Sequence, residues 1–433
     1  MMPSLVKPFI LYSSLLFLHA ILSPFSPNPG VGISSKLKGG DRGAFRYQPK
    51  ILPGAARFDQ YLPILEGKSV AIFANQTSMV GDKHLVDLLK EKGVLIRKIF
   101  SPEHGFRGKA DAGEEVNNSV DAETGIPVIS LYGTHNKPSA AELSDVDILI
   151  FDIQDVGVRF YTYISSLQYY IEAAIENNKP LILLDRPNPN GFYVDGPVLD
   201  RKFKSFVGMQ PIPIVYGMTL GEYAKMLLGE KWLDPVIMQK ADWPMGLKKK
   251  FQLIVIPCAN YTHKSKYVLP VKPSPNLPDI QSVYFYPSTC LFEGTVLSEG
   301  RGTTKPFQVF GHPALPSSLT AFTPRSMEGA RNPKLVNQTC YGWDLSGSAD
   351  EVLRKIGNKF QLKWLLESYK LFPHKENFFL QNGSFNRLAG SDRLMQQIKA
   401  GKSETMIRES WEPALGKFKL IRKKYLLYPD FAR

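Results

Sequence analysis

Between residues 69 and 185 the chain alternates short apolar runs with segments whose apolar residues recur at helical spacing, and this alternation limits the fold more than any other feature. Ser69-Val70-Ala71-Ile72-Phe73-Ala74 has strand length and no internal turn former. Asp82 then reads as the cap of a helix whose Leu85, Leu88 and Leu89 form an apolar stripe closing at Gly93. Val94-Leu95-Ile96-Arg97-Lys98-Ile99-Phe100 reads as a buried strand, and further short apolar runs occupy residues 126–132, 147–152 and 180–185. Between the last two, Ile164, Leu167, Ile171, Ala174 and Ile175 mark a helix. Strands that alternate with helices pair in parallel through right-handed crossovers. The expected class is therefore α/β, with a doubly wound parallel sheet covered on both faces.

Ligands of such sheets bind beyond the carboxyl ends of the strands. Phe100-Ser101-Pro102-Glu103-His104-Gly105-Phe106-Arg107-Gly108 falls at one of those ends and sets a carboxylic acid beside an imidazole. Pro102 and the two glycines stop the strand and hold a shaped loop. A turn whose Glu and His satisfy local backbone groups would look the same, so the dipeptide alone decides nothing. The next strand ends carry Phe151-Asp152-Ile153-Gln154-Asp155-Val156-Gly157-Val158-Arg159-Phe160-Tyr161-Thr162-Tyr163 and Leu184-Asp185-Arg186-Pro187-Asn188-Pro189-Asn190-Gly191. Carboxylates and amides that bind hydroxyls, with aromatic faces for a ring, have the chemistry of a sugar subsite. A scaffold role fits as well, with Asp152 and Asp155 as helix caps and Arg159 or Arg186 as their ion-pair partners.

Other chemistries lose ground. The turn after the first strand, Asn75-Gln76-Thr77-Ser78, lacks the glycines that admit a pyrophosphate. Gly401-Lys402-Ser403 resembles the end of a phosphate loop, but Gln396 stands where its first glycine belongs, and no Gly-x-Ser-x-Gly elbow occurs. The seven histidines are dispersed, with no helical His-x-x-x-His pair, so no metal and no cofactor is expected. Cys258, Cys290 and Cys340 are too few for a disulfide framework and read as buried thiols. The net charge of +13 is spread out, with no long basic face interleaved with aromatics, so no nucleic-acid partner is expected.

A chain of 433 residues, 43% of them apolar, is long enough for two domains. Residues 1–25, with Lys7 before an apolar stretch, read as a secretory signal peptide, and 26–53 as a linker. The protein is accordingly expected in the periplasm or outside the cell, without stable membrane insertion once the signal is removed, or anchored if it is retained. An N-terminal domain over 54–207 and a C-terminal α+β domain over 208–433 complete the division. In the latter, Thr219 with Glu222 and Ser348 with Glu351 form capping boxes. Lys272-Pro273-Ser274-Pro275-Asn276-Leu277-Pro278 reads as a fixed loop. Phe292 to Thr303 supplies Glu293, Glu299 and Arg301 on a glycine-rich backbone, either as a second carboxylate facing Glu103 or as an ordinary ion pair. The tail from Trp411 to Tyr428 reads as a packing helix ending at Pro429.

Taken in order, Ser101-Pro102-Glu103-His104-Gly105, the Asp152 to Tyr163 run, Asp185-Arg186-Pro187-Asn188-Pro189, Pro273-Ser274-Pro275-Asn276 and Ser298-Glu299-Gly300-Arg301-Gly302-Thr303 resemble the NamZ family of exo-acting β-N-acetylmuramidases. The likeness covers nearly all of the chain after the signal region. It implies a Rossmann-like N-terminal domain, a smaller C-terminal domain and an active cleft between them. The implied substrate is peptidoglycan-derived glycan such as MurNAc-GlcNAc, from whose non-reducing end N-acetylmuramic acid is released, and Glu103 matches the family's proposed catalytic glutamate.

Glycoside cleavage needs an acid for the leaving oxygen and a second group at the anomeric centre. Glu103 is the candidate acid, with His104 beside it. Asp155, Glu299, Glu293 and the substrate's own 2-acetamido oxygen are candidates for the second role. Arg159, Arg186 and Arg301 are candidates for the lactyl carboxylate, and Asn75, Tyr161 and Asn276 for further contacts to the sugar. Two other classes remain: a periplasmic wall-sugar-binding protein without turnover, and another hydrolase or a metal-dependent enzyme on the same scaffold.

Overall fold

A computed structural model describes residues 50–108, 117–241 and 251–431; the expected signal peptide and the linker up to residue 49 lie outside them. The strands expected from sequence form at Ser69–Ala74 (β1), Leu95–Ser101 (β2), Pro127–Ser130 (β4), Ile148–Asp152 (β5) and Leu181–Leu184 (β6). The short Ser119–Val120 (β3) and Leu253–Ile256 (β7) complete a seven-stranded sheet of order β3-β4-β2-β1-β5-β6-β7. Only β3 runs antiparallel. Numbered in chain order, the six parallel strands follow the 3-2-1-4-5-6 order of a doubly wound Rossmann-type sheet, whose direction of winding reverses between β1 and β5.

Both faces of this sheet are buried, and the pleat of β1 makes the division plain. Val70, Ile72 and Ala74 point to one side, where Tyr61 and Leu65 of Phe58–Leu65 (α1) and Leu85 and Leu89 of Leu85–Glu91 (α2) cover them. Ala71 and Phe73 point to the other, against Leu167, Tyr170 and Ile171 of Tyr163–Glu176 (α3). Phe73 stacks on Phe151 with ring centroids 4.8 Å apart. Each such buried aromatic contributes about 2 to 3 kcal/mol of transfer free energy. The strand β2 is less enclosed than its composition suggests: Leu95 and Arg97 to Lys98 remain partly or fully exposed, and only Ile99 to Ser101 are buried.

Local corrections have local causes. The cap of α2 is His84, not Asp82, because the His84 ring accepts from the Val86 N–H while its other nitrogen meets the Asn75 carbonyl. A boundary at residue 207 would cut the sheet, since β7 lies beyond it and pairs with β6. Leu52, at the end of the expected linker, exchanges backbone hydrogen bonds with Ala259.

The rest of the chain is α+β. Leu220–Gly229 (α4) opens on the expected Thr219/Glu222 capping box. Ile280–Thr289 (α5) leads to a three-stranded antiparallel sheet, Val309–His312 (β8), Thr320–Phe322 (β9) and Cys340–Asp344 (β10), with β10 in the middle. Ala349–Ile356 (α6) begins at the Ser348/Glu351 capping box, as expected. The final helix, Glu404–Lys423 (α7), starts earlier and stops earlier than the tail pattern suggests. It passes through Pro413, whose ring and the residue it would have bonded, Glu409, are both exposed. Cys258, Cys290 and Cys340 are buried free thiols.

One polar knot fastens the two halves of the chain. Asp185, directly after β6, accepts from the Thr219 hydroxyl at 2.7 Å, the Gly221 N–H at 2.8 Å and the Tyr428 hydroxyl at 2.5 Å. Replacing Thr219 by Val removes both the helix cap and one of these bonds. The expected cost is about 2 kcal/mol in denaturant unfolding, with Thr219→Ser recovering most of it.

Candidate active site

The loop after β2 is shaped by its backbone. His104 has φ 71° and Gly105 φ 73°, so the chain turns in the left-handed region directly after Glu103. For a histidine that conformation costs on the order of 1 kcal/mol, and it persists because the surrounding packing holds it. Gly108, with φ 71°, closes against the first strand's loop: a Cβ there would lie 2.5 Å from the side chain of Gln76. Gln76 in turn donates to the Pro273 carbonyl at 3.1 Å. The loops after β1 and β2 and the proline-rich loop are thereby packed into one wall.

Strand register decides what faces Glu103. Ser101 pairs with Ser130, and Leu131 continues the ladder by donating to the Ser101 carbonyl at 2.8 Å. Two residues beyond each partner stand Glu103 and Tyr132, and the Tyr132 hydroxyl donates to Glu103 Oε1 at 3.0 Å. Burial and the neighbouring carboxylate both push the Tyr132 phenol well above its ordinary value, so it remains a donor.

Around Glu103 and His104 the cavity wall continues with Tyr161, Thr162, Tyr163, Ser274, Tyr286 and Arg301. Tyr161 donates to the Pro273 carbonyl at 2.9 Å and meets Tyr163 edge-on at 4.7 Å. Arg301 comes from the C-terminal part. Its Nη2 donates to Glu293 Oε1 at 2.7 Å, and its Nε lies 3.4 Å from Glu299 Oε1. Glu299 is only 2% exposed and is also paired with Lys334 at 2.8 Å. The guanidinium is held still by these acids, which raise its pKa further, while its side chain keeps 22% exposure. Glu293 and Glu299 therefore reach the cavity through Arg301, and the ion pair weighed from sequence exists in a largely buried form.

Several residues expected to contact substrate are placed elsewhere. Arg159 is fully buried and donates to the carbonyls of Pro197, Ile212 and Leu388, a tie between the two halves of the chain. Burial lowers its pKa to about 9. Arg186 is spent on a bidentate pair with Asp152 at 2.6 and 2.8 Å and on the Met79 carbonyl. Asp155 is buried, accepting from the Gly157 N–H at 2.6 Å and the Tyr216 hydroxyl at 2.5 Å. Asn75 stands one layer back: its Oδ1 closes a turn onto Thr77, and its amide donates to the Tyr163 hydroxyl at 2.8 Å. Asn276 donates to the Gly329 carbonyl at 2.7 Å. These side chains shape the loops that carry Glu103, Tyr163 and Arg301. Sequence reasoning named Tyr163 only within its run and missed Tyr132, Tyr286 and Lys334; of these three Tyr132 carried a signal, as a polar-tipped aromatic just past the strand that neighbours β2.

The family models for the N-terminal and C-terminal domains of exo-β-N-acetylmuramidase NamZ match residues 70–281 and 284–428. The peptidoglycan β-N-acetylmuramidase NamZ of Bacillus subtilis is 38% identical over 399 residues, 88% of this chain and 92% of that protein. The chain belongs to the NamZ family. Crystal structures of two DUF1343 family proteins from Bacteroides fragilis share the fold. One is 47% identical with a TM-score of 0.78, the other 28% identical with a TM-score of 0.71, and each is covered completely by 88% of this chain. The junction of the two NamZ models, between residues 281 and 284, falls inside α5, on the cavity side of which Tyr286 stands.

Asp155 supplies a pH signature. Burial raises its pKa from 3.8 to about 7. An acid whose folded pKa lies above its unfolded value supports the fold fully below the unfolded value and loses that support as pH rises through the folded one. Stability is expected to decline between about pH 4 and pH 7. In Asp155→Asn, whose amide oxygen can take the same donors, that part of the decline disappears, as read by thermal unfolding across the window.

Proposed function

We infer that this protein is a glycoside hydrolase that removes N-acetylmuramic acid from the non-reducing end of peptidoglycan-derived glycans, with Glu103 as general acid and base. The family assignment supports the activity, and the observation that carries the catalytic role is geometric. Glu103 is the carboxylate on the cavity wall, held by Tyr132 beyond the carboxyl end of β2, where doubly wound sheets bind their ligands. Protonated, it gives its proton to the glycosidic oxygen as the bond to the anomeric carbon breaks; ionised, it takes a proton from the incoming water. Tyr161, Tyr163 and Tyr286 line the cavity beside it, their rings largely buried.

Arg301 reads the lactyl carboxylate in this account. Of the three arginine candidates, it alone lines the cavity, since Arg159 and Arg186 are buried and hydrogen-bonded in the interior. A guanidinium fixed by two acids presents a preorganised fork to a third. Residues 1–25 act as an export signal, which fits a substrate in the cell wall and a periplasmic or secreted enzyme. Among the described residues no helix is long and apolar enough to cross a membrane.

Release of free N-acetylmuramic acid from MurNAc-GlcNAc tests the reading. Glu103→Gln is expected to lose roughly a hundredfold or more in turnover, the scale of one general acid, with its unfolding transition unchanged. Wild-type protein that binds the disaccharide and releases nothing would instead be a wall-sugar-binding protein. Arg301→Gln is expected to raise KM about tenfold for this disaccharide, one charge-assisted hydrogen bond's worth. It should have little effect on an analogue whose lactyl carboxylate is masked as an amide.

A further inference from the structure

We propose that Tyr132 is a positioning residue for Glu103, fixing which carboxyl oxygen carries the proton during glycoside cleavage. The inference rests on the reading of Glu103 as the acid. Its physical basis is the parallel ladder: Ser101 and Ser130 are paired, the Leu131 N–H extends the ladder to the Ser101 carbonyl, and two residues beyond that pair stand Glu103 and Tyr132. The phenol is therefore brought to the carboxylate by the backbone, and the 3.0 Å bond runs from its hydroxyl to Oε1.

An oxygen that accepts from a phenol is a poor seat for a second proton, so the acid proton of Glu103 sits on Oε2. In the first half of the reaction that proton passes to the glycosidic oxygen, the bond from that oxygen to the anomeric carbon breaks, and Glu103 is left as carboxylate. Water then supplies hydroxide to the anomeric carbon, and its remaining proton returns to Oε2. Tyr132 keeps its own proton throughout, because burial and the adjoining carboxylate disfavour the phenolate. Its hydrogen bond strengthens as negative charge develops on Glu103, which is the condition for helping the reaction rather than the binding step.

Among the described residues, the titratable groups that line the cavity with Glu103 or bond to it come from both parts of the chain. His104 lies on its own loop, Tyr132 after β4, Tyr161 and Tyr163 at the start of α3, and Tyr286 and Arg301 on the C-terminal side. Arg301 persists when Tyr132 is changed, so the expected displacement is moderate. Tyr132→Phe should lower kcat about tenfold with KM nearly constant. It should also move the carboxyl limb of the kcat/KM pH profile upward by about one unit, because the carboxylate has lost a donor. Imidazoles titrate in a similar range, so the profile of His104→Asn identifies the carboxyl limb.

A merely structural tyrosine would leave that limb in place, and an unmoved limb overturns the proposal. So does a Tyr132→Phe protein with raised KM and unchanged kcat. The pair Tyr132→Phe and Glu103→Gln gives a second test: a tyrosine acting through Glu103 adds no further loss once Glu103→Gln is in place, while an independent role adds its full factor. Failure of the broader reading looks different, as full activity in Glu103→Gln itself.

Discussion

Parallel pairing of six strands is the constraint from which the site follows. It sends every strand's carboxyl end to one edge of the sheet and requires each return connection to cross a face. The turns after β1, β2, β4, β5 and β6 are therefore neighbours in space although they are spread over more than a hundred residues. Register sharpens this into chemistry at one point, where Ser101 beside Ser130 sets Glu103 beside Tyr132. The C-terminal part then needs to supply only one wall, and it does so with Tyr286 and Arg301.

Most of the charged residues at that edge build the wall rather than face the cavity. Buried ions are tolerable when paired or hydrogen-bonded, and the conspicuous charges here find such partners. Arg186 takes Asp152, Asp185 takes two hydroxyls and an amide, and Arg159 takes three carbonyls. His263 is a further case away from the cavity. Its ring nitrogens meet Glu222 and the Gly191 carbonyl, each at 3.0 Å, while Glu222 also accepts from the Leu427 N–H near the end of the chain. These ties hold the loops after β5 and β6, α4 and the C-terminal tail as one body. A rigid wall is what a general acid needs, since small displacements from reacting geometry are costly in rate.

The fold was legible because its signals are local. Six buried residues at 69–74, five of them apolar, a helical stripe from Ile164 to Ile175 and two capping boxes depend only on neighbours a few positions away. The membership of the site was less legible, because the sequence shows which polar residues lie at strand ends but not which of them are already occupied. Arg159, Arg186 and Asp155 had the right chemistry and adjacent partners, and the interior claimed all three. Tyr132 had weak chemistry on its own and gained its place from pairing between strands some thirty residues apart. His84 displaced Asp82 as a cap because the Asn75 carbonyl, nine residues away, orients its ring.

The most direct measurement is a crystal structure of the Glu103→Gln protein soaked with MurNAc-GlcNAc. The account predicts the N-acetylmuramic acid ring against Tyr161 and Tyr163, its lactyl carboxylate on Arg301 and the glycosidic oxygen within hydrogen-bond reach, about 3 Å, of residue 103. A disaccharide seated elsewhere along the sheet edge, with residue 103 out of reach of the glycosidic oxygen, would contradict it.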